Sequence, residues 1–299
     1  MTETNTLKDL YNTHLGNVSD KWSSYLEKYE EVLSPYRDAP VRVFEIGVQN
    51  GGSLEIWSEY FQNAELILGC DINPKCAAIS YDNDRIKLIL GDIKDPTTLH
   101  KVQSASEEMD IIIDDGSHLS GDIINTFCKL FPKLSLGGTY VVEDLHCSYW
   151  KQFEGGLNHP KSSISFFKAL IDILNHEHWG LDTPRRKHLD EFYIPDELSE
   201  TVLADLHSVA FSNSMCIIQK KEQASNVLGQ RRVVGRREVV SPVLHVAGTY
   251  NQAPLQDANT ETNAHVYEAH LQDLIKTQQD RIAALEEQLL NFRIEPTTK

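Results

Sequence analysis

Five short apolar runs, each ending in an acid or a glycine, constrain this chain more than anything else in its sequence: VRVFEIG from Val41, ELILGCD from Glu65, IKLILGD from Ile86, MDIIIDD from Met109 and GGTYVVED from Gly137. Stretches of helix-plus-loop length separate them. Strand, helix, strand at this interval predicts an α/β fold, a Rossmann-like doubly wound sheet, mostly parallel, with helices on both faces. Such sheets bind ligands at the carboxyl ends of their strands. Here those ends carry Glu45 and Gly47, Asp71, Asp92, Asp114 and Asp115, and Glu143 and Asp144.

Four stretches are expected. Residues 1–40 form a helical cap, with Leu7, Leu10, Tyr11 and Leu15 and then Trp22, Tyr25, Leu26 and Tyr29 at helical spacing, and Ser19 as the N-cap of the second helix. The main domain covers 41–222, where SISFFKALIDILNHEH reads as a helix and LHSVAFSNSMCIIQKK as a closing pair of strands. A polar linker covers 223–263. A helix over 264–293 places Leu271, Ile275, Gln278, Ile282, Leu285, Leu289 and Phe292 on a heptad seam, a short coiled coil suited to a homo-oligomer or a protein partner. The plainer alternative is an amphipathic helix docked on its own domain.

The charge balance, 28 Lys+Arg against 44 Asp+Glu for a net −16, argues against nucleic acid or anionic lipid as partners. No stretch approaches the roughly 18 consecutive apolar residues of a membrane span. The start MTETNTLKDL lacks the basic-then-apolar order of a signal peptide, and five scattered cysteines without CxxC spacing read as reduced thiols, so a cytoplasmic protein is expected.

The turn after the first strand, FEIGVQNGGSLEIW, carries Gly47, Gly51 and Gly52. A dinucleotide fingerprint needs glycine where Gln49 stands, and no GK[ST] follows for a phosphate loop. What remains suits a nucleoside and a zwitterion rather than a diphosphate. Glu45 before the turn suits a cationic ligand, Asp71 can take ribose hydroxyls, and Gly91–Asp92 lies where an adenine edge would. A glycine in such a turn is often only structural, but the three features on consecutive strands favour S-adenosylmethionine, with Asp114 on the same rim.

At the ends of the fourth and fifth strands, DDGSH and VVED bring Asp115, Glu143 and Asp144 toward one rim if the strands pair, since neighbours lie roughly 4.8 Å apart. Like charges that close need a cation. Oxygen ligands without cysteine indicate a hard ion, Mg²⁺ before Mn²⁺ or Ca²⁺. Solvated strand-end acids are the plain alternative. A sugar-like diol on the ion would offer an acidified hydroxyl. His118 is the expected general base, since histidine titrates near pH ~6.5, with His146 as second choice.

Together DKWSSYLEKY, EIGVQNGGSLEIW, DDGSH and VVEDLHCSYWKQFEGG resemble the metal-dependent sugar O-methyltransferases of the macrocin and mycinamicin type, themselves similar to rhamnosyl O-methyltransferases and cephalosporin-hydroxylase-like proteins. The resemblance covers roughly residues 7–222. It implies that Asp115, Glu143 and Asp144 ligate Mg²⁺, that His118 is the base, that Glu45, Gly47, Asp71 and Asp92 surround S-adenosylmethionine, and that Tyr149, Trp150 and the Gly155–Gly156 loop line the substrate. The acceptor is then a sugar or glycan, of an antibiotic or of a surface polysaccharide. The competing readings are a hydroxylase or nicotinamide oxidoreductase on the same scaffold, which Gln49 disfavours, and a non-catalytic interaction module working through 264–293.

Overall fold

A computed structural model of the chain describes residues 5–256 and, beyond them, residues 275, 276, 278, 279, 281, 282 and 285. The five apolar runs become strands β1 (Arg42–Ile46), β2 (Leu66–Asp71), β3 (Ile86–Leu90), β4 (Met109–Asp114) and β5 (Leu134–Val142). All five are parallel, and a hairpin of β6 (Leu206–Ser212) and β7 (Met215–Lys220) adds antiparallel to β5, giving the order β3-β2-β1-β4-β5-β7-β6. Both central strands are buried on either face, which is why their sequences are continuous apolar runs rather than alternating ones. The chain order reverses between β1 and β4, so the crevice of the sheet opens at their carboxyl ends.

Seven α-helices flank the sheet: α1 (Leu7–Thr13), α2 (Ser23–Leu33), α3 (Gly52–Tyr60), α4 (Pro96–Ala105), α5 (Ser120–Leu130), α6 (Ser163–Leu174) and α7 (Glu200–Ala204), counted among the described residues. Their starts follow from local chemistry: Thr6 and Asp9 form a capping box on α1, Asp95 caps α4 ahead of Pro96, and Ser162 caps α6. Over one face of the sheet, α2 and α3 bury Tyr29, Trp57, Tyr60 and Phe61, with the Tyr29 and Trp57 rings 5.1 Å apart. Elsewhere in the core, α5 sets Phe127 against Phe131, Tyr140, Phe166 and Phe167, at centroid distances of 4.9, 5.1, 5.7 and 5.4 Å. The five cysteines are all buried and unpaired.

The local structure departs from the sequence reading at two points. Ser19 is not an N-cap: its hydroxyl bonds Tyr11 at 3.0 Å, and α2 starts only after Trp22. Residues 14–22 instead run as irregular chain, because Lys21 is drawn into the strand ends. Between β2 and β3 there is no α-helix, only a 3-10 segment, Pro74–Ala78, entered through an Asn73 cap.

By compactness the chain divides into one unit of 1–177 with 183–251 and another of 178–182 with 252–299. In the first, residues 223–251 carry no regular strand beyond a single bridge between Gln230 and Tyr250. In the second, the Gln256 amide donates to the Gly180 carbonyl at 2.8 Å. Of the heptad seam, Leu271, Leu289 and Phe292 lie outside the described residues. Ile275, Gln278, Ile282 and Leu285 are helical, with Ile275, Ile282 and Leu285 more than half exposed. No described helix is long and apolar enough to cross a membrane.

Phe127 touches four other rings and is fully buried. Phe127→Ala is therefore expected to lower unfolding free energy by about 3–5 kcal/mol in urea titrations.

Candidate active site

At the crevice a cavity of about 430 Å³ is lined by the glycine turn after β1, by Asp71 and Asp92, by Asp114–His118 and by Asp144. Gly47 lets the turn pass close to the end of β4: with φ +87°, a Cβ there would fall 1.9 Å from the Asp115 carbonyl oxygen. Gln49, where a dinucleotide turn would carry glycine, takes the same left-handed conformation, φ 52°. Its amide and that of Val48 donate to Asp71 Oδ2 at 2.8 and 2.9 Å, and the Asn73 amide donates to Oδ1 at 2.8 Å. Asp71 thus shapes the turn as well as facing the cavity. Asp92 accepts from the Lys94 amide at 2.9 Å and stays 38 % exposed.

Not every expected binder reaches the cavity wall. Glu45 is fully buried and Gly51 lies off the lining; the cation that Glu45 meets is the chain's own Lys21, at 3.1 Å, while Ser53 donates to its other oxygen at 2.6 Å. Lys21 Nζ also lies 2.6 Å from Asp115 Oδ2 and 2.6 Å from Glu143 Oε1, with its side chain only 2 % exposed. Pairing of β4 with β5, Asp114 opposite Val142, brings these carboxylates together.

The expected metal triad is divided by its hydrogen bonds. Glu143 Oε1 accepts from Lys21 and from the Tyr29 hydroxyl at 2.6 Å. Asp144 takes the left-handed conformation, φ 54°, and its Oδ1 accepts from Trp22 Nε1 at 3.0 Å and from the Tyr25 hydroxyl at 2.7 Å. Asp115 Oδ1, Glu143 Oε2 and Asp144 Oδ2 accept no hydrogen bond from the described residues. Two sets of ligand atoms fall within 4.8 Å of one another, Asp115–His118–Asp144 and Glu45–Asp115–Glu143. Asp115 belongs to both.

His118 also has positive φ, 58°, and its Nε2 stands 3.7 Å from Asp144 Oδ2. Gln49, His118 and Asp144, three non-glycine residues in that conformation around one cavity, mark a site whose backbone is held against its preference. His146 Nδ1 bonds the Ser214 hydroxyl, and its ring is edged by Trp22 at 6.0 Å and Trp150 at 5.0 Å. Tyr149 and Trp150 are 42 % and 45 % exposed and stand beside the cavity rather than in its wall.

Burial sets the electrostatics. It works against the Lys21 charge, yet Glu143, Glu45 and Asp115 outweigh it and hold the ammonium well above the usual lysine range. Burial pushes Glu143 up to about 8 against the pull of Lys21, and raises Glu45 and Asp115 as well. Asp114, 4 % exposed, is raised to about 7, by burial first and by its neighbour Asp115, although the Gly116 amide donates to it.

Sequence reasoning passed over Lys21, Trp22, Tyr25 and Tyr29. The tyrosines, four apart, read as one core face of a helix, which they are; the available signal was that a buried tyrosine hydroxyl needs a partner. Nothing local distinguishes Lys21 from a solvated lysine.

Residues 23–143 match the FtsJ-like methyltransferase family. Among named relatives, the chain is 34% identical over 222 residues to the 8-demethyl-8-alpha-L-rhamnosyl tetracenomycin-C 2'-O-methyltransferase of Streptomyces olivaceus, covering 71% of this chain and 54% of the relative. It is 36% identical over 168 residues to the mycinamicin VI 2''-O-methyltransferase of Micromonospora griseorubida, covering 52% and 41%. Among solved structures, the MycE methyltransferase of mycinamycin biosynthesis, in complex with Mg and SAH, matches with a TM-score of 0.62 at 27% identity, over 74% of this chain and 56% of that one. The chain spans about half the length of these relatives.

The raised Asp114 gives a prediction with a definite sign. A carboxyl whose folded pKa exceeds its unfolded one stabilises the fold when protonated and loses that contribution as pH rises. Between pH ~4 and ~7, metal-free wild type should lose stability relative to Asp114→Asn, and melting curves of the two proteins should converge toward the acid end. The sheet order and the glycine turn agree with the similarity of residues 23–143 to the FtsJ-like methyltransferase family.

Proposed function

We propose that the chain is an S-adenosylmethionine-dependent and Mg²⁺-dependent O-methyltransferase acting in the cytoplasm on a sugar hydroxyl of a glycoside or glycan. The observation that carries this reading is the cavity-facing set of Asp115, His118 and Asp144, whose ligand atoms lie within 4.8 Å of one another beside the glycine turn. The sugar O-methyltransferases among the relatives support it.

The donor atoms fit a hard divalent ion: they are carboxylate oxygens, and each of three carboxylates keeps one oxygen outside the hydrogen-bond network. Asp115, Glu143 and Asp144 would hold Mg²⁺. Bound there, the ion supplies Lewis acidity toward a coordinated sugar hydroxyl.

The chain's own groups do the rest. Gly47 opens the turn for the methyl donor, Asp71 keeps lone pairs for ribose hydroxyls after serving three amides, and Asp92 and Asp114 border the base. His118 Nε2 takes the proton from the attacking hydroxyl. His146, pinned by Ser214 between Trp22 and Trp150, with Tyr149 beside it, forms a wall suited to a sugar face. In-line placement of hydroxyl and methyl is the main contribution of such a site.

Radiolabelled methyl transfer to a panel of glycosides and glycans tests this. His118→Ala should lose about 10²–10⁴-fold in turnover while still binding S-adenosylhomocysteine. Asp115→Ala and EDTA treatment should abolish transfer, with Mg²⁺ restoring only the EDTA-treated wild type. We further propose that the 264–293 helix makes the enzyme a homo-oligomer or binds a protein partner. Removing 264–299 should reduce the assembly mass in light scattering and leave turnover per chain intact.

A further inference from the structure

The inner set of ligand atoms, Glu45 Oε1, Asp115 Oδ2 and Glu143 Oε1, has the composition of a divalent-cation site, yet it encloses an ammonium group. We propose that Lys21 is a resident cation: its Nζ fills an inner ion position between the ends of β1, β4 and β5, and so restricts the site to a single divalent ion on the opposite carboxylate oxygens.

Three observations carry this. The ammonium is within 3.1 Å of three carboxylates at or just past the ends of three adjacent strands, and its side chain is 2 % exposed. The oxygens it takes, Asp115 Oδ2 and Glu143 Oε1, are not the ones left unbonded, Oδ1 and Oε2. Both carboxylates could therefore bridge two cations, an arrangement that paired-metal centres use with ions ~3.5–4 Å apart. Finally, Lys21 reaches the position from outside the sheet. It is carried by residues 14–22, whose path is fixed by Asn17 on Glu55 at 2.7 Å and by the Val18 carbonyl accepting from the Gly52 amide at 3.2 Å. Trp22, at the end of this segment, and Tyr25 of α2 bond Asp144, while Tyr29 of α2 bonds Glu143 Oε1, the same oxygen that Lys21 holds.

A lysine in this place supplies one of the two positive charges a second divalent ion would bring, and is tethered to the chain. It also fixes which oxygen of Asp115, the one of the three that lines the cavity, is left unbonded. Its consequence for catalysis rests on the metal-dependent reading above; the filling of the inner position by Lys21 does not.

Calorimetric titration of Mn²⁺ into wild type, Lys21→Met and Lys21→Gln, all saturated with S-adenosylhomocysteine, counts ions per chain. Both variants should take up one ion more than wild type, and the added ion should disappear when Glu45→Gln is combined with Lys21→Met. A purely structural lysine would lower the melting temperature without changing this count. Variants that bind no more Mn²⁺ than wild type would overturn the proposal, whether or not wild type binds its own ion. If wild type binds none while the variants bind one, the metal-dependent function fails and the role of Lys21 stands. Should either variant be unfolded alone, Mn²⁺ is expected to restore its cooperative melting transition, and failure to do so also counts against the proposal.

Discussion

Burying several carboxylates at neighbouring strand ends is costly unless a positive charge meets them. In this protein the charge is the Lys21 ammonium, within 3.1 Å of Glu45, Asp115 and Glu143. Much else follows from that contact. It draws residues 14–22 across the carboxyl edge of the sheet, delays the start of α2 to Ser23, and brings Tyr25 and Tyr29 over Asp144 and Glu143. The N-terminal segment thereby reaches the cavity through Lys21 as well as packing its helices on the core. The family match begins at residue 23, two positions past this lysine, so the residue that organises the centre lies just outside the matched stretch.

The sheet was legible because buried parallel strands leave an unambiguous trace. VRVFEIG and MDIIIDD can hardly be anything else between polar helices, and their terminal acids fall at the rim by topology alone. Asp115, Glu143, Asp144 and His118 could be grouped for the same reason: β4 and β5 are adjacent, so residues ending them share an edge. Glu45 was placed on the correct strand end, but its buried side chain meets an internal cation rather than the cavity. Asp71 was read for the ribose, and its three bonds to the turn amides depend on a backbone path that spacing does not disclose.

What could not be read comes from long-range contact. Lys21 and Asp115 are 94 residues apart, and no local pattern records their meeting. Ser19 fits the statistics of a helix cap, but its preference is worth about 1 kcal/mol, less than the interactions that hold Lys21 in place. The aromatic wall proposed for the acceptor is similar: Trp22, His146 and Trp150 form one ring group from segments far apart in the chain. Exposed aromatics edged around a carboxylate offer apolar faces and few donors, which suits a sugar ring better than a charged acceptor.

This chain shares its fold with the MycE methyltransferase where the two overlap, and the arrangement of charge at the strand ends organises its site. Anomalous diffraction from crystals grown with Mn²⁺ and S-adenosylhomocysteine tests it most directly. One peak is expected, bonded by Asp115, Glu143 and Asp144 beside His118, with Lys21 still seated among Glu45, Asp115 and Glu143. A peak in the position of the Lys21 ammonium, with the lysine turned out to solvent, or no peak at these carboxylates, would contradict it.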